Sequence, residues 1–345
     1  MDNCKLTSVI LHITNACTSH CPYCYACATE KEFQHADINK MYQIIDMLAE
    51  ADIERVSLLG GDPLLHPHVI EISKRLVEKG ICVGVMSNTM EFPVPYDDVV
   101  KYIDTFETTI HGCNAREHDS FTSKPGAYDL LMRNLRALSG FDVTIGIAIN
   151  VIPQTSTKIF DLVNSLITHE KIRIDYIILQ RIVPFGRAEN SKKYSLTYDD
   201  VHLAMQEVEK VNRQLGINVL VEDPFPLCAL DSSFHKYMHP CEWGYTKAAI
   251  NGDGDLTRCG ADPRYLLGNI FETPIREIWK NSPLLKEFRN KSYLPDSCRK
   301  CEHLEKCGGG CSVSNQPNID VGVDYLINQS GEIENCFVEG EYVYP

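Results

Sequence analysis

Up to about residue 221, short apolar runs alternate with longer segments of helical periodicity. Runs at 9–14, 55–59, 82–86, 106–110, 144–150 and 175–180 predict strands. Segments at 41–51, 69–78, 127–138 and 158–168 place apolar residues three and four apart and predict helices between them. This alternation predicts an α/β fold, a parallel sheet with crossover helices. Six β/α units in about 200 residues fit a partial (β/α)6 TIM-type barrel, short of a full eight-fold one. A seventh helix near 198–215 leads to a further apolar segment, 217–221.

From residue 225 onward the pattern breaks up. Glycine, proline and cysteine punctuate it every few residues, and only 275–280 and 284–289 predict short helices. The expected organisation is therefore two domains. Residues 1–224 form the partial barrel with a bridging helix and strand, and residues 225–345 form a loop-rich, cysteine-rich domain. A region with so little periodic structure needs staples. Metal clusters bound between Cys241 and Cys336 would supply them, because metal binding and folding are coupled.

Of the 345 residues, 44% are apolar, enough for a sizeable core. No apolar run approaches the ~20 residues of a membrane span. The start, Met1-Asp2-Asn3-Cys4-Lys5, is polar and has no signal-peptide core, so the expected location is the cytoplasm. A net charge of −14 repels phosphate backbones and argues against a broad nucleic-acid-binding face. Fifteen cysteines change the picture. Without a signal peptide, tight and ordered cysteine spacings point to metal rather than to disulfides.

The first constellation, Cys17-x3-Cys21-x2-Cys24, follows the first predicted strand. Three thiolates on one short loop suit three irons of a 4Fe–4S cluster, leaving the fourth iron open. Zinc is the alternative, with His20 or Cys27 as a fourth ligand. The spacing, with Tyr23 before the last cysteine, resembles the signature of the radical S-adenosylmethionine (SAM) superfamily. The resemblance implies that the open iron holds the amino and carboxylate groups of SAM. It further implies that an electron, from a donor such as flavodoxin or ferredoxin, cleaves SAM to a 5′-deoxyadenosyl radical. Gly60-Gly61-Asp62-Pro63 is similar to the family's Gly-Gly-Glu-Pro motif at the methionyl amino group, and its glycines would let backbone approach the ligand. Ser87-Asn88-Thr89 resembles the family's Thr-Asn-Gly segment. Thr109-Ile110-His111-Gly112 stands where relatives often read Ser-Leu-Asp-Gly. By the same resemblance Arg133 would reach the SAM carboxylate, and Asn150 and Arg181 would complete the SAM contacts. Arg181 opens a stretch similar to the family's Arg-x-x-Pro-x-Gly-Arg-Ala.

The second constellation is Cys241, Gly254-x4-Cys259, Cys298-x2-Cys301-x5-Cys307-x3-Cys311, then Cys336. It resembles the SPASM domain, which implies two auxiliary 4Fe–4S clusters and three clusters in all. The family's interleaved ligation would give Cys241, Cys259 and Cys311 to the first and Cys298, Cys301, Cys307 and Cys336 to the second. The first is then one ligand short. Some relatives fill that place with an upstream cysteine and others leave it open for substrate. Cys228 is the nearby cysteine, with packing as a small apolar residue as its other reading.

Cys4, Cys27, Cys82 and Cys113 have no cluster role, and Cys82 is expected in the core. Cys113, after the fourth strand, is a candidate hydrogen donor to a substrate radical, or an idle loop residue. Asp262, three residues past Cys259, is a candidate base, or a solvated turn residue. Most SPASM-containing relatives modify a ribosomal peptide or protein side chain, by cross-linking, oxidation or epimerisation. The first strand begins by residue 9, so an N-terminal leader-binding domain is not expected. A separate leader-binding protein or the barrel mouth would then receive the peptide. The alternatives are a radical oxidase of a small molecule, such as an alcohol or tetrapyrrole, and a non-catalytic iron–sulfur electron carrier or sensor.

Overall fold

The computed structural model describes residues 4–31, 33–92, 95–189, 191–314 and 323–329. Strands β1 (Ser8–Thr14), β2 (Arg55–Gly60), β3 (Cys82–Met86), β4 (Thr105–Ile110), β5 (Thr144–Val151) and β6 (Tyr176–Arg181) fall on the six predicted runs. Each pairs in parallel with the next. Helices α1 (Ile38–Glu50), α2 (Val69–Glu78), α3 (Tyr96–Val100), α4 (Ala115–Thr122), α5 (Ala127–Leu138) and α6 (Ile159–Thr168) lie between them. Helix α1 shows why the pattern was readable. Asp37 caps it through the amides of Asn39 and Lys40, and Met41, Ile44, Ile45 and Leu48 form its buried stripe. Helix α4 was not predicted, because it buries only His118 and Thr122 and carries no apolar stripe.

Helix α7 (Tyr198–Lys210) starts at a capping box between Thr197 and Asp200. It passes into a π turn, Val211–Leu215, where one continuous helix was expected. Gly216, at φ 69°, ends it and feeds β7 (Asn218–Val221), which joins β6 in parallel.

The loop-rich region holds three strands that the sequence pattern did not reveal, β8 (Lys247–Asn251), β9 (Asp255–Cys259) and β10 (Asp262–Asn269). β8 pairs in parallel with β1, and β9 and β10 follow as antiparallel neighbours. The sheet therefore crosses the expected boundary at residue 224 and, among the described residues, has ten strands in the order β10-β9-β8-β1-β2-β3-β4-β5-β6-β7. It is open at both ends. It also curls, because Ser8, Arg55, Glu107, Ile178, Leu220 and Lys247, from six different strands, line one cavity. Lys247 on β8 reaches Glu222, just past β7, at 2.6 Å, which ties the two sides of the opening together. Burial alone would raise the Glu222 carboxyl, yet the Lys247 ammonium holds it below its usual range.

Helices α8 (Ile275–Asn281) and α9 (Pro283–Arg289) cover the predicted segments. Short turns α10 (Asp296–Arg299), α11 (Leu304–Cys307) and α12 (Tyr325–Gln329) follow. Cys82, expected in the core, is exposed, because it opens β3 at the sheet rim. No helix among the described residues is long and apolar enough to cross a membrane.

Candidate active site

The loop carrying Cys17, Cys21 and Cys24 leaves the C-terminal end of β1, the end of such sheets where sites form. Backbone contacts fix it. Cys17 N–H donates to Thr29 O at 2.9 Å and Cys24 N–H to Cys21 O at 3.2 Å. The stretch after β6 clasps it from above. Arg187 donates through Nε to Cys21 O (2.7 Å), through Nη1 to Ala28 O (2.9 Å) and through its N–H to Cys24 O (3.0 Å). Gly186 sits at φ +57°, and a Cβ there would lie 2.4 Å from Tyr25 O. Only glycine lets the two backbones meet so closely. Gly186 and Arg187 thus position the cysteine loop, a role that sequence reasoning missed.

The two glycines of Gly60-Gly61 serve the same loop. A Cβ at Gly60 would lie 1.9 Å from Thr14 O, and one at Gly61 would lie 2.1 Å from Ala16 O. Their freedom was expected to admit a ligand, but here it docks the end of β2 onto the segment leading to Cys17. Asp62 is fully buried. Its Oδ1 accepts from Leu64 N (3.1 Å) and Ser87 Oγ (2.8 Å), and Oδ2 has no partner. Burial pushes its carboxyl up to about 6, against those two hydrogen bonds. Pro63 starts the buried turn that Asp62 caps. Asn88 Nδ2 lies 3.6 Å from Cys17 Sγ.

Tyr23 points away from solvent into an aromatic cluster. Its hydroxyl is 2.7 Å from His111 Nε2, and His111 stacks on Phe121 at 4.6 Å. His111, standing where relatives read Asp, therefore steadies the cysteine loop from the β4 side. Asn150, at the end of β5, is buried with its Nδ2 unpartnered. A cavity runs from Tyr23 and Tyr25 past Asn150 and Gln180 to Trp243, Cys259 and Gly260. It joins the first cysteine loop to the second constellation.

Five further expected residues are held by contacts of their own. Arg181 lines that cavity, but its guanidinium is held by Asp324, at 2.5 Å (Nη1) and 3.1 Å (Nη2), between the rings of Phe225 and Tyr325. It rivets β6 to the late segment rather than presenting a charge to a ligand. Arg133 is exposed on α5, and its Nε donates to Asn134 Oδ1. Asn134 in turn donates to Thr89 O and Met90 O, so Arg133 borders the loop after β3 but does not line the cavity. Cys113 has Glu117, Asp161 and Lys158 as charged neighbours, on α4 and at the start of α6, which sets it among the outer helices. Asp262, considered as a base, is fully buried and gives both oxygens to Arg264, at 2.8 and 2.7 Å. Thr109 stays within the sheet, paired with Ala148.

The second constellation divides into two places. Asp223 Oδ1 lies 3.8 Å from Cys311 Sγ, and Cys241 and Cys259 each have Asp223 as a charged neighbour. Burial pushes the Cys241 thiol up to about 12 and the Cys259 thiol to about 11. Beside them Arg258 is fully buried, with Nε, Nη1 and Nη2 all unpartnered. The rings of Tyr265 and Phe288 each lie 4.0 Å from the guanidinium carbon. The other place is a cavity lined by Cys298, Cys301 and Cys307. Cys228, a candidate for the first auxiliary cluster, lines that same cavity. Cys336 lies outside the described residues.

These residues fit the groups that the motifs imply. A buried guanidinium without an acceptor is costly unless an anion meets it. A cluster ligated by three or four thiolates is such an anion, next to Cys241 and Cys259. Asp62 Oδ2 and Asn150 Nδ2 are likewise a buried acceptor and a buried donor without a partner among the described residues. Among the described residues, no three His, Cys, Asp or Glu side chains meet closely enough to hold a single metal ion.

Comparison with known proteins agrees. Residues 11–166 match the radical SAM superfamily, and residues 241–302 match SPASM, an iron–sulfur cluster-binding domain. The chain is 24% identical over 316 residues to the AdoMet-dependent heme synthase of Methanosarcina barkeri, covering 86% of this chain and 88% of that protein. It is 23% identical over 315 residues to the mycofactocin maturase MftC of Mycolicibacterium smegmatis, covering 88% and 77%. The structure of Streptococcus suis SuiB bound to precursor peptide SuiA matches with a TM-score of 0.71 at 19% identity, over 90% of this chain and 73% of that one.

Proposed function

The chain is a radical SAM enzyme with a SPASM domain, and from that premise we propose that it abstracts hydrogen from a side chain of a ribosomally made peptide. The observation that carries the reading is the shared cavity. One end is lined by Tyr23 and Tyr25 of the first cysteine loop, and the other by Trp243, Cys259 and Gly260 beside the first auxiliary site. A side chain held there would lose its hydrogen at one end with an electron acceptor at the other. Relatives named as maturases of peptides, among them mycofactocin maturase and PqqA peptide cyclase, support the substrate class.

When bound, SAM at the open iron supplies the 5′-deoxyadenosyl radical. The chain's own residues hold and shield it. Cys17, Cys21 and Cys24 would hold the cluster, Asp62 Oδ2, without a partner among the described residues, would accept from the methionyl ammonium, and Asn150 would donate to a polar atom of SAM. Trp243 and Tyr25 wall the cavity against water. Two auxiliary clusters, on Cys241, Cys259 and Cys311 and on Cys298, Cys301 and Cys307, bring the total to three. A flavodoxin or ferredoxin would supply the electron, and a separate leader-binding protein would present the peptide.

A second reading has its own support. The heme synthase relative covers nearly the whole of both proteins, which favours oxidation of a tetrapyrrole side chain. One experiment separates the two. The anaerobically reconstituted protein is reduced with SAM and either candidate precursor peptides encoded nearby or an iron porphyrin carrying propionates. Substrate-dependent 5′-deoxyadenosine with a mass change on the peptide supports the first reading. The same response to the porphyrin alone overturns it in favour of the second.

A further inference from the structure

The first auxiliary site has three cysteines within the described residues, Cys241, Cys259 and Cys311. A 4Fe–4S cluster has four irons, so one needs another donor or stays open. Cys228 lines the cavity of Cys298, Cys301 and Cys307 instead. Its packing there removes the cysteine that the spacing alone offered.

Asp223 stands where that donor is needed. It follows β7, and its Oδ1 lies 3.8 Å from Cys311 Sγ. Cys241 and Cys259 both have it as a charged neighbour. Its other oxygen, Oδ2, accepts from Arg181 N–H at 3.0 Å, which fixes the carboxylate plane and leaves Oδ1 turned to the thiols. Asp223 also lines the cavity shared with the first cysteine loop.

We propose that Asp223 is the fourth ligand of the first auxiliary cluster, giving it three thiolates and one carboxylate. The proposal rests on the SPASM reading of these cysteines. Carboxylate is a harder donor than thiolate, so this bond is the weakest of the four to iron. With Cys259, Asp223 lines the cavity, where a substrate heteroatom would meet the cluster. The Asp324 carboxylate stiffens the arrangement, because it holds both Arg181 and the Cys311 N–H, at 3.0 Å for the latter.

The test uses the full chain with Cys17, Cys21 and Cys24 changed to Ala, so that only auxiliary clusters remain. Iron content, redox-titrated EPR and response to cyanide are measured with Asp223 present and in Asp223→Ala, Asp223→Asn and Asp223→Cys. The expected result is about eight irons with Asp223 present and no cyanide response. Asp223→Ala and Asp223→Asn shift the g-values and midpoint potential of one cluster and make it cyanide-sensitive. Asp223→Cys shifts the potential but restores cyanide resistance. Loss of one cluster in Asp223→Ala with retention in Asp223→Cys also supports ligation. Equal cyanide sensitivity with Asp223 present means that the iron is open and overturns the proposal. Unchanged spectra in Asp223→Ala and Asp223→Asn overturn it too, as does equal loss of the cluster in all three variants. Zinc, or no iron, with Asp223 present would overturn the cluster reading itself.

Discussion

In the proposed reading, the first cysteine loop and the first auxiliary site would hold the same kind of group in opposite ways. Cys17, Cys21 and Cys24 lie within eight residues of one another, on a loop whose shape is set before any iron arrives. Gly60, Gly61 and Gly186 let two backbone segments pack against it, and Arg187 caps its carbonyls. The auxiliary site draws Asp223, Cys241, Cys259 and Cys311 from four separated segments. There a buried, unpaired Arg258 leaves the cluster-free protein strained. One site is preorganised by the fold. The other organises the fold around it, as expected where metal binding and folding are coupled.

The sharpest break comes from removing the first loop's thiols. Cys17/Cys21/Cys24→Ala should abolish SAM cleavage while iron falls from about twelve to about eight per chain. An unchanged iron count would mean that the loop holds no cluster. Next is the preorganisation itself. Gly186→Val puts a side chain 2.4 Å from Tyr25 O at a left-handed φ. The backbone term alone costs roughly 1–2 kcal/mol, and a loop moved by an ångström can cost about a hundredfold in rate. SAM cleavage should fall to that extent with both auxiliary EPR signals intact. If the auxiliary signals collapsed instead, the two sites would not be separable as argued.

A smaller effect follows from Asp62→Asn. The carboxylate's free Oδ2 is the acceptor for the methionyl ammonium in this reading. Losing a hydrogen bond to a charged group costs about 1.5–3 kcal/mol, so SAM should bind roughly 10- to 100-fold more weakly. Iron content should stay the same. Equal SAM affinity, measured by calorimetry on the anaerobic protein, would reassign Oδ2.

The same contrast explains what could be read from the chain beforehand. The six strands of the barrel and helices α1, α2, α5 and α6 follow from periodicity, because each buries one continuous stripe or run. The first cysteine loop was legible because its ligands are neighbours in sequence. Strand β8 was not, since Lys247–Asn251 is five residues long and buries three apolar residues in succession, without alternation. Arg181 misled, because a conserved-looking stretch does not say that its charge is spent on Asp324, some 143 residues later. Asp223 and Arg258 carry no spacing signal at all. Glu222-Asp223-Pro224 reads as a turn, and Arg258 reads as an exposed residue of a hairpin until the fold buries it.

Arg258 provides the finest test, because its sign should reverse with the cluster. Without iron, its guanidinium is buried against two rings with no acceptor. Replacing it with Met removes an uncompensated charge, so the cluster-free protein should be as stable or more stable. With iron, the same change removes the cation beside an anionic cluster. The loaded protein should lose stability, and the first auxiliary cluster should become harder to reduce, since charge and hydrogen bonds near the sulfurs set its potential. Arg258→Lys keeps the charge and should shift the potential less than Met does. SAM cleavage with a chemical reductant should be unaffected by either variant. Melting curves of the cluster-free and reconstituted forms, read beside an EPR redox titration, give the answer. A loss of stability of equal size in both forms would make Arg258 a packing residue. Opposite signs, with a lowered potential, would mean that this part of the chain is built to be completed by its cluster.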